Sequence, residues 1–261
     1  MDEINYLDMI TLFFTQQGII VESKNNNAFL PFNKTKKDLN LNIINTYKNN
    51  ELLIVDCSLD VKSNNNYNIY PVKKFLAENN QNDQFKILKS YQLLNWHNRS
   101  KYCGTCGNIL AYKIDLTEKN CDTCKASVFP RFSPAIMVLI IKDKKILLGR
   151  SHHFQKGMYS ALAGFIDLGE TAEDAVYREV KEEVGISIKN IKYFGTQSWP
   201  FPDSFMIAFT AKYHEGDIII DEDEIDDANW FDINNLPTLP SHISISRQLI
   251  DNAILEIKKQ E

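Results

Sequence analysis

A chain of 261 residues, 44% hydrophobic and 24% charged, is long enough to bury two compact cores and has the composition of an ordinary soluble globular protein, which excludes collagen-like, disordered and membrane classes. The formal net charge of −5, with acids crowded between Asp221 and Asp227, argues against a broad basic face for nucleic acid and leaves only a local patch open. The first residues carry neither the basic start nor the cleavage site of a secretory signal, and no apolar run reaches membrane-spanning length, so a cytoplasmic protein with no membrane partner is expected.

In chain order, residues up to about Asn95 alternate short apolar runs (GIIVES, NAFLPF, ELLIVDCSL, YNIYPV) with asparagine-rich turns at 25–27 and 64–66, the pattern of a small β-rich domain. Cys57, inside one apolar run, reads as a buried, inert thiol. Gln84 to Arg99 spaces Phe85, Leu88, Tyr91, Leu94 and Trp96 as a helix would, and a connecting helix with a core-facing stripe is predicted. SPAIMVLIIK and KKILLGR then read as a hairpin of buried strands, followed by the turn-rich HHFQKGMYS, whose histidines read as solvated or structural. Thr171 to Val184 is the strongest helix, with Thr171 as N-cap, Asp174 completing a capping-box-like pair and Gly185 as the stop. NIKYFGTQSW, SFMIAFTAKYH and DDANWFD read as strands. Ser244 to Lys259 closes the chain as a helix with Ile245, Leu249, Ile250, Ala253, Ile254 and Ile257 on its apolar face.

Two clusters carry chemistry. Cys103 and Cys106 face Cys121 and Cys124 across fourteen residues, and two Cys-x-x-Cys turns at this separation suit one tetrahedral structural zinc per chain. Gly104 and Gly107 are expected to let the first knuckle turn so that amides face the sulfurs. With four protein ligands no position is left open for zinc chemistry.

The second cluster lies on the strong helix. Glu179, Glu182 and Glu183 fall three and four residues apart, so they share a face where they repel unless divalent cations sit among them. Mg²⁺ or Mn²⁺ held there would bridge phosphate oxygens and activate water for hydrolysis of a phosphoanhydride. Arg178 is expected to pair with a neighbouring carboxylate and fix its rotamer, and Gly164 to allow a tight strand-to-helix approach. A solvated glutamate-rich helix is the competing reading, and the full spacing of Gly164, Glu170, Arg178, Glu179, Val180, Glu182, Glu183, Gly185 and Ile186 argues against it.

That spacing is the Nudix box. Together with the cysteine module it resembles the NADH pyrophosphatase subfamily of Nudix hydrolases, from the cysteines to the end of the chain. The resemblance implies an α+β fold, an α-β-α sandwich, over 130–261, preceded by a β-rich domain with its connecting helix at 1–98 and a zinc ribbon at 99–129. It implies hydrolysis of NADH or NAD⁺ to nicotinamide mononucleotide and AMP, and in some members removal of NAD caps from RNA 5′ ends, usually by a homodimer. Glu179, Glu183, Glu224 and the Ala163 carbonyl would hold Mg²⁺ or Mn²⁺; Glu182 or a neighbouring carboxylate would accept the proton of the attacking water. The subfamily's downstream signature is matched by Thr196 to Ser204, with Ser198 in place of a proline, so Gln197, Ser198, Trp199, Pro200, Phe201, Pro202, Asp203 and Ser204 are implied to shape the substrate pocket. Phe129 and Phe165 would stack on a base or nicotinamide, Ser246 would line the adenylate side, and Lys74 would touch phosphate. ADP-ribose or another nucleoside diphosphate derivative remains an alternative substrate, and a catalytically silent nucleotide sensor or RNA-binding protein an alternative of another class.

Overall fold

Strand-forming runs separated by turns make the first half of the chain β-rich, and the second half alternates long apolar strands with two amphipathic helices. The computed structural model describes residues 10–24, 27–29, 43–49, 52–57, 67–78, 84–112 and 117–259. It divides into two compact units, Met1–Arg131 and Phe132–Glu261. The asparagine turns at 25–26 and 64–66 and the predicted strand ends at 30–32 and 58–59 lie outside the described residues.

The first unit holds a six-stranded sheet of β1 (Ile10–Thr15), β2 (Gly18–Lys24), β3 (Asn27–Phe29), β4 (Ile43–Asn49), β5 (Leu52–Cys57) and β6 (Tyr67–Tyr70). The order is β3-β2-β1-β5-β4, with β6 also on β2 and only β1 and β5 parallel. Leu12, Phe13 and Phe14 are all buried, so the central strand is covered on both faces. The segment YNIYPV does not stay extended: Pro71 ends β6, and its carbonyl receives Phe75 N at 3.0 Å as α1 (Val72–Glu78) begins. Helix α2 (Gln84–Arg99) forms as predicted, but it buries Ile87, Ser90, Leu93, Leu94, Trp96 and His97 and leaves Phe85 74% exposed. Two polar residues, Ser90 and His97, lie on the buried face, so counting apolar side chains alone misplaces the stripe. Three two-residue strands, β7 (Ala111–Tyr112), β8 (Lys119–Asn120) and β9 (Ser127–Val128), pair antiparallel in chain order; Cys103 and Cys106 precede β7, and Cys121 and Cys124 lie between β8 and β9.

The second unit is an α/β sandwich. Its six-stranded sheet runs β13 (Ser187–Trp199), β14 (Ser204–Glu215), β10 (Ser133–Lys142), β11 (Lys145–Ser151), β15 (Ile225–Asp232), with β12 (Leu162–Phe165) also paired to β10. The β10 to β11 connection is the predicted hairpin. Strand β10 explains why its sequence shows no polar alternation. Ile136, Val138 and Ile140 pack under α3 (Ala172–Val184) through Ala175, Val176, Val180 and Val184. Ala135, Met137 and Leu139 pack on the opposite face under α4 (Ile245–Lys258) through Leu249, Ile250 and Ala253. No described helix is long and apolar enough to cross a membrane.

Candidate active site and cysteine cluster

Helix α3 starts and stops where local chemistry requires. Thr171 Oγ1 accepts Asp174 N at 3.1 Å, and Gly185 takes the left-handed conformation (φ 73°) while its N–H returns to Lys181 O. The capping box is only half formed, because Asp174 uses its carboxylate to accept the Thr171 hydroxyl at 2.7 Å. Between these caps, 3.6-residue periodicity places Ala175, Val176, Val180 and Val184 in the core with the carboxyl groups of Glu179 and Glu183 at its edge, 7% and 6% exposed.

Glu179, Glu183 and Glu224 converge: one carboxylate oxygen from each lies within 4.8 Å of the others. Glu179 packs on the backbone of β12, where a Cβ at Gly164 would fall 1.9–2.1 Å from its carboxylate atoms. Only glycine fits there, as the sequence implied. Ala163 precedes it, exposed and opposite Met137 in the β10 ladder.

Burial, then the charges of Glu179 and Glu224, push the Glu183 carboxyl up to about 8. Burial also raises Glu179, against the opposing pull of Arg178. Glu183 Oε2 is buried and has no hydrogen-bond partner among the described residues. Three crowded oxygens, one of them unpartnered, are the donor set a hard divalent cation would satisfy.

Arg178 has no donor to spare. It meets Glu170 through Nε (2.8 Å) and Nη2 (2.9 Å), Glu179 and Glu182 through Nη1 (2.9 and 2.8 Å), and the Phe165 carbonyl through Nη2 (2.9 Å). These charge-assisted bonds raise its pKa further and hold Glu170 below the usual carboxylate range. Arg178 is thus a positioning residue tying helix to loop, and Glu182 turns to it instead of joining the convergent trio. Glu170, which the sequence reading placed in the box without a role, is the anchor of this network.

The end of β13 and the turn that follows it are held from both sides. Gln197 donates Nε2 to Ile243 O (2.7 Å) and accepts Ile245 N on Oε1 (2.8 Å), so both ends of its amide serve the start of α4. Asp203 accepts Ser133 Oγ at 3.1 Å, and its carbonyl accepts Ser133 N at 3.0 Å. Trp199 and Phe201 meet edge to face at 5.1 Å beside Ser198, buried Pro200 and the Pro202 that follows a cis bond, while Ser204 is buried opposite Ser133. Ser246 is 2% exposed, its hydroxyl 2.7 Å from Ser160 Oγ and accepting Ala161 N at 3.2 Å; it steadies the entry to β12 from within the core. Phe165 is 57% exposed at the end of β12. In the first unit, Phe129 is 56% exposed after β9, and Lys74 is exposed on α1, 3.9 Å from Glu78 and over the Tyr70 ring. Sequence reasoning did not connect His152 with Asp226: the two are in contact at the β-bulge between β11 and β15, with Arg150 at 3.4 Å from the same carboxylate.

The cysteines also converge, with one sulfur of each within 4.8 Å of the rest; Cys103 lies 3.5 Å from Cys124 and Cys106 3.4 Å from Cys121. The two knuckles are built alike. Gly107 N returns to Cys103 O and Lys125 N to Cys121 O, and both residues are left-handed (φ 74° and 62°). Gly104, expected to help the first turn, has no positive φ and open space around its Cβ position, so another residue would fit there. Backbone and side-chain N–H groups of Asn108 draw the Cys106 thiol down to about 6, and the amides of Cys106 and Thr105 lower Cys103. Cys124 receives the Ala126 amide, yet the other three sulfurs push it up to about 12. Amides favour thiolates here, but four cannot coexist without a cation among them, which fits a metal held by all four.

Residues 131–253 match the NUDIX domain family. The match takes in most of the second unit. It is similar to the NAD-capped RNA hydrolase NudC of Chromobacterium violaceum, 48% identical over 173 residues covering 66% of this chain and 65% of that protein. It is 46% identical over 165 residues to the NAD-capped RNA hydrolase NudC of Pseudomonas syringae pv. tomato, covering 63% and 59%. The matched stretch therefore spans slightly under two thirds of these relatives' length. A solved NUDIX hydrolase from Nitrosomonas europaea aligns with 61% of this chain and 91% of its own at 19% identity and a TM-score of 0.49. Within the matched residues, the convergent acids come from α3 and from the turn before β15.

Proposed function

We propose that this chain hydrolyses the pyrophosphate bond of a nicotinamide dinucleotide, NADH or NAD⁺, to nicotinamide mononucleotide and AMP, and that the same site removes NAD caps from RNA 5′ ends. The observation that carries the reading is the meeting of Glu179, Glu183 and Glu224 around a buried, unpartnered carboxylate oxygen. The box spacing and the similarity to NAD-capped RNA hydrolases support the choice of substrate.

Mg²⁺ or Mn²⁺ would be held by Glu179, Glu183 and Glu224, with the Ala163 carbonyl as a further ligand, and when bound would neutralise diphosphate charge and lower the pKa of a water. The water oxygen forms a bond to one phosphorus of the anhydride, and the bond from that phosphorus to the bridging oxygen breaks. Glu182, outside the trio, is assigned the water's proton. Arg178 keeps Glu179 and Glu182 oriented while Glu170 fixes the loop at the head of α3. Phe165, Trp199 and Phe201 offer ring faces for the planar bases, and Asp203, Ser204 and their neighbours set the wall of the pocket. The cysteine cluster is assigned one structural zinc.

The test measures product from NADH, NAD⁺, ADP-ribose and NAD-capped RNA at equal enzyme concentration, with Mg²⁺, with Mn²⁺ and with chelator. Cleavage of the nicotinamide substrates at least about tenfold faster than ADP-ribose, abolished by chelator, is expected; a tenfold difference corresponds to only about 1.4 kcal/mol of selective transition-state binding. Preference for ADP-ribose would overturn the substrate assignment, and undiminished turnover in chelator would overturn the site.

A further inference from the structure

The chain between β14 and β15 closes onto the end of the carboxylate helix. Ile218 and Ile220 pack against the core on the α3 side of the sheet. The alternate residues turn their amides to the helix: Ile219 N donates to Val184 O at 3.0 Å and Asp221 N to Glu183 O at 3.1 Å. Two last-turn carbonyls of α3 thereby receive donors that no intrahelical amide could supply. The chain then reverses around Asp221. Its Oδ1 accepts Asp223 N at 2.9 Å, an Asx turn, and its carbonyl accepts Glu224 N at 3.1 Å and Ile225 N at 3.0 Å.

We propose that Asp221 is the positioning residue that sets Glu224 against Glu183. Its amide grips the backbone of one acid, its carboxylate folds the turn, and its carbonyl holds the amide of the other. Asp221 itself is not part of the convergent trio, so the acceptor atom matters and the charge does not. Glu224 is exposed and stands just ahead of β15, so this turn does for it what helical packing does for Glu179 and Glu183. The inference rests on the cation site proposed above.

The experiment titrates Mn²⁺ into the full chain, reading free ion by electron paramagnetic resonance, for wild type, Asp221→Asn, Asp221→Ala, Glu224→Gln and the Asp221→Ala/Glu224→Gln pair, with thermal unfolding of each. Asn keeps the accepting oxygen and loses the charge, so Asp221→Asn stays within about twofold of wild type, whereas Asp221→Ala, lacking one hydrogen bond, weakens Mn²⁺ by roughly three- to tenfold. In the Glu224→Gln background the alanine substitution adds almost nothing, because its effect travels through Glu224. Unchanged affinity in Asp221→Ala, equal losses in the Asn and Ala variants, or a full alanine effect beside Glu224→Gln would each overturn the proposal. If the alanine variant does not fold, Asp221→Ser, which makes the same turn more weakly, takes its place in the cycle. Absence of Mn²⁺ binding by wild type would sink the cation site and this inference together; binding that ignores position 221 sinks this inference alone.

Discussion

Glu183 is an acid enclosed by the core, and its ionisation contributes to how the cation-free protein responds to pH. The folded carboxyl titrates at about 8 and the unfolded one near 4.5, so between those values the native state retains a proton that the unfolded chain releases. Stability therefore falls as pH rises through this window, by at most about 1.4 kcal/mol per pH unit from this one group. In calorimetry of chelator-treated protein, the melting temperature is expected to drop from pH 5 to pH 8, and excess Mg²⁺ to reverse the drop by stabilising the ionised form. Glu183→Gln keeps the shape without the titration, so it flattens the profile and loses the Mg²⁺ response along with hydrolysis. A wild-type profile that rises over this range, and that Glu183→Gln leaves unchanged, would refute the account. At the same scale, Gln197 shows what sequence could not convey. Its place in a substrate signature is visible in the chain, but its two bonds to Ile243 and Ile245 join residues nearly fifty positions apart and exist only in the fold.

At the scale of elements, legibility followed from how much of each element's reason for existing is local. Helix α3 carries its own caps and period, and α4 its N-cap Ser244, which accepts Arg247 N at 3.3 Å, so both are readable. Strand β12 is four residues long and exists because it pairs with β10; nothing in LAGF announces it. Helix α1 is a seven-residue element hidden behind the apolar run of β6. The end of α2 depends on a residue twenty positions downstream. Lys119 on β8, 5% exposed, donates Nζ to His97 O at 3.1 Å and Ser100 O at 2.7 Å and lies 5.1 Å from the Trp96 ring centroid. A cation at the negative end of a helix, bonded to carbonyls that would otherwise lose a donor, is worth about 1–3 kcal/mol. Lys119→Met is expected to destabilise the first unit by that amount in urea unfolding followed by tryptophan fluorescence, with Zn²⁺ content unchanged. A loss below about 0.5 kcal/mol would show that the carbonyls find other donors.

For the whole molecule, the two candidate metal centres fall in different compact units, the sulfurs in Met1–Arg131 and the carboxylates in Phe132–Glu261. Each motif was readable from spacing alone, because Cys-x-x-Cys turns and i, i+4 acids are local patterns; Glu224 joined its site only through a turn that tertiary packing holds in place. Separate placement implies separable chemistry. Four sulfurs without a cation repel, and beyond the Lys119 anchor the short strands β7, β8 and β9 have only a small apolar cluster, Leu110 with the half-buried Ala126 and Val128, to hold them. Zinc removal by a mercurial thiol reagent and chelator, followed by dialysis, is therefore expected to lower the stability of the first unit by several kcal/mol, on the order of a fraction of what structural zinc contributes in small zinc domains. The carboxylate trio has no ligand in that unit, so Mn²⁺ affinity of the zinc-depleted protein stays within about twofold of the starting value, a change under about 0.4 kcal/mol. Elemental analysis before treatment is expected to give one zinc per chain. Loss of Mn²⁺ binding in step with zinc would mean that the fold of one unit depends on the other, and stability indifferent to zinc would remove the metal from the cysteines.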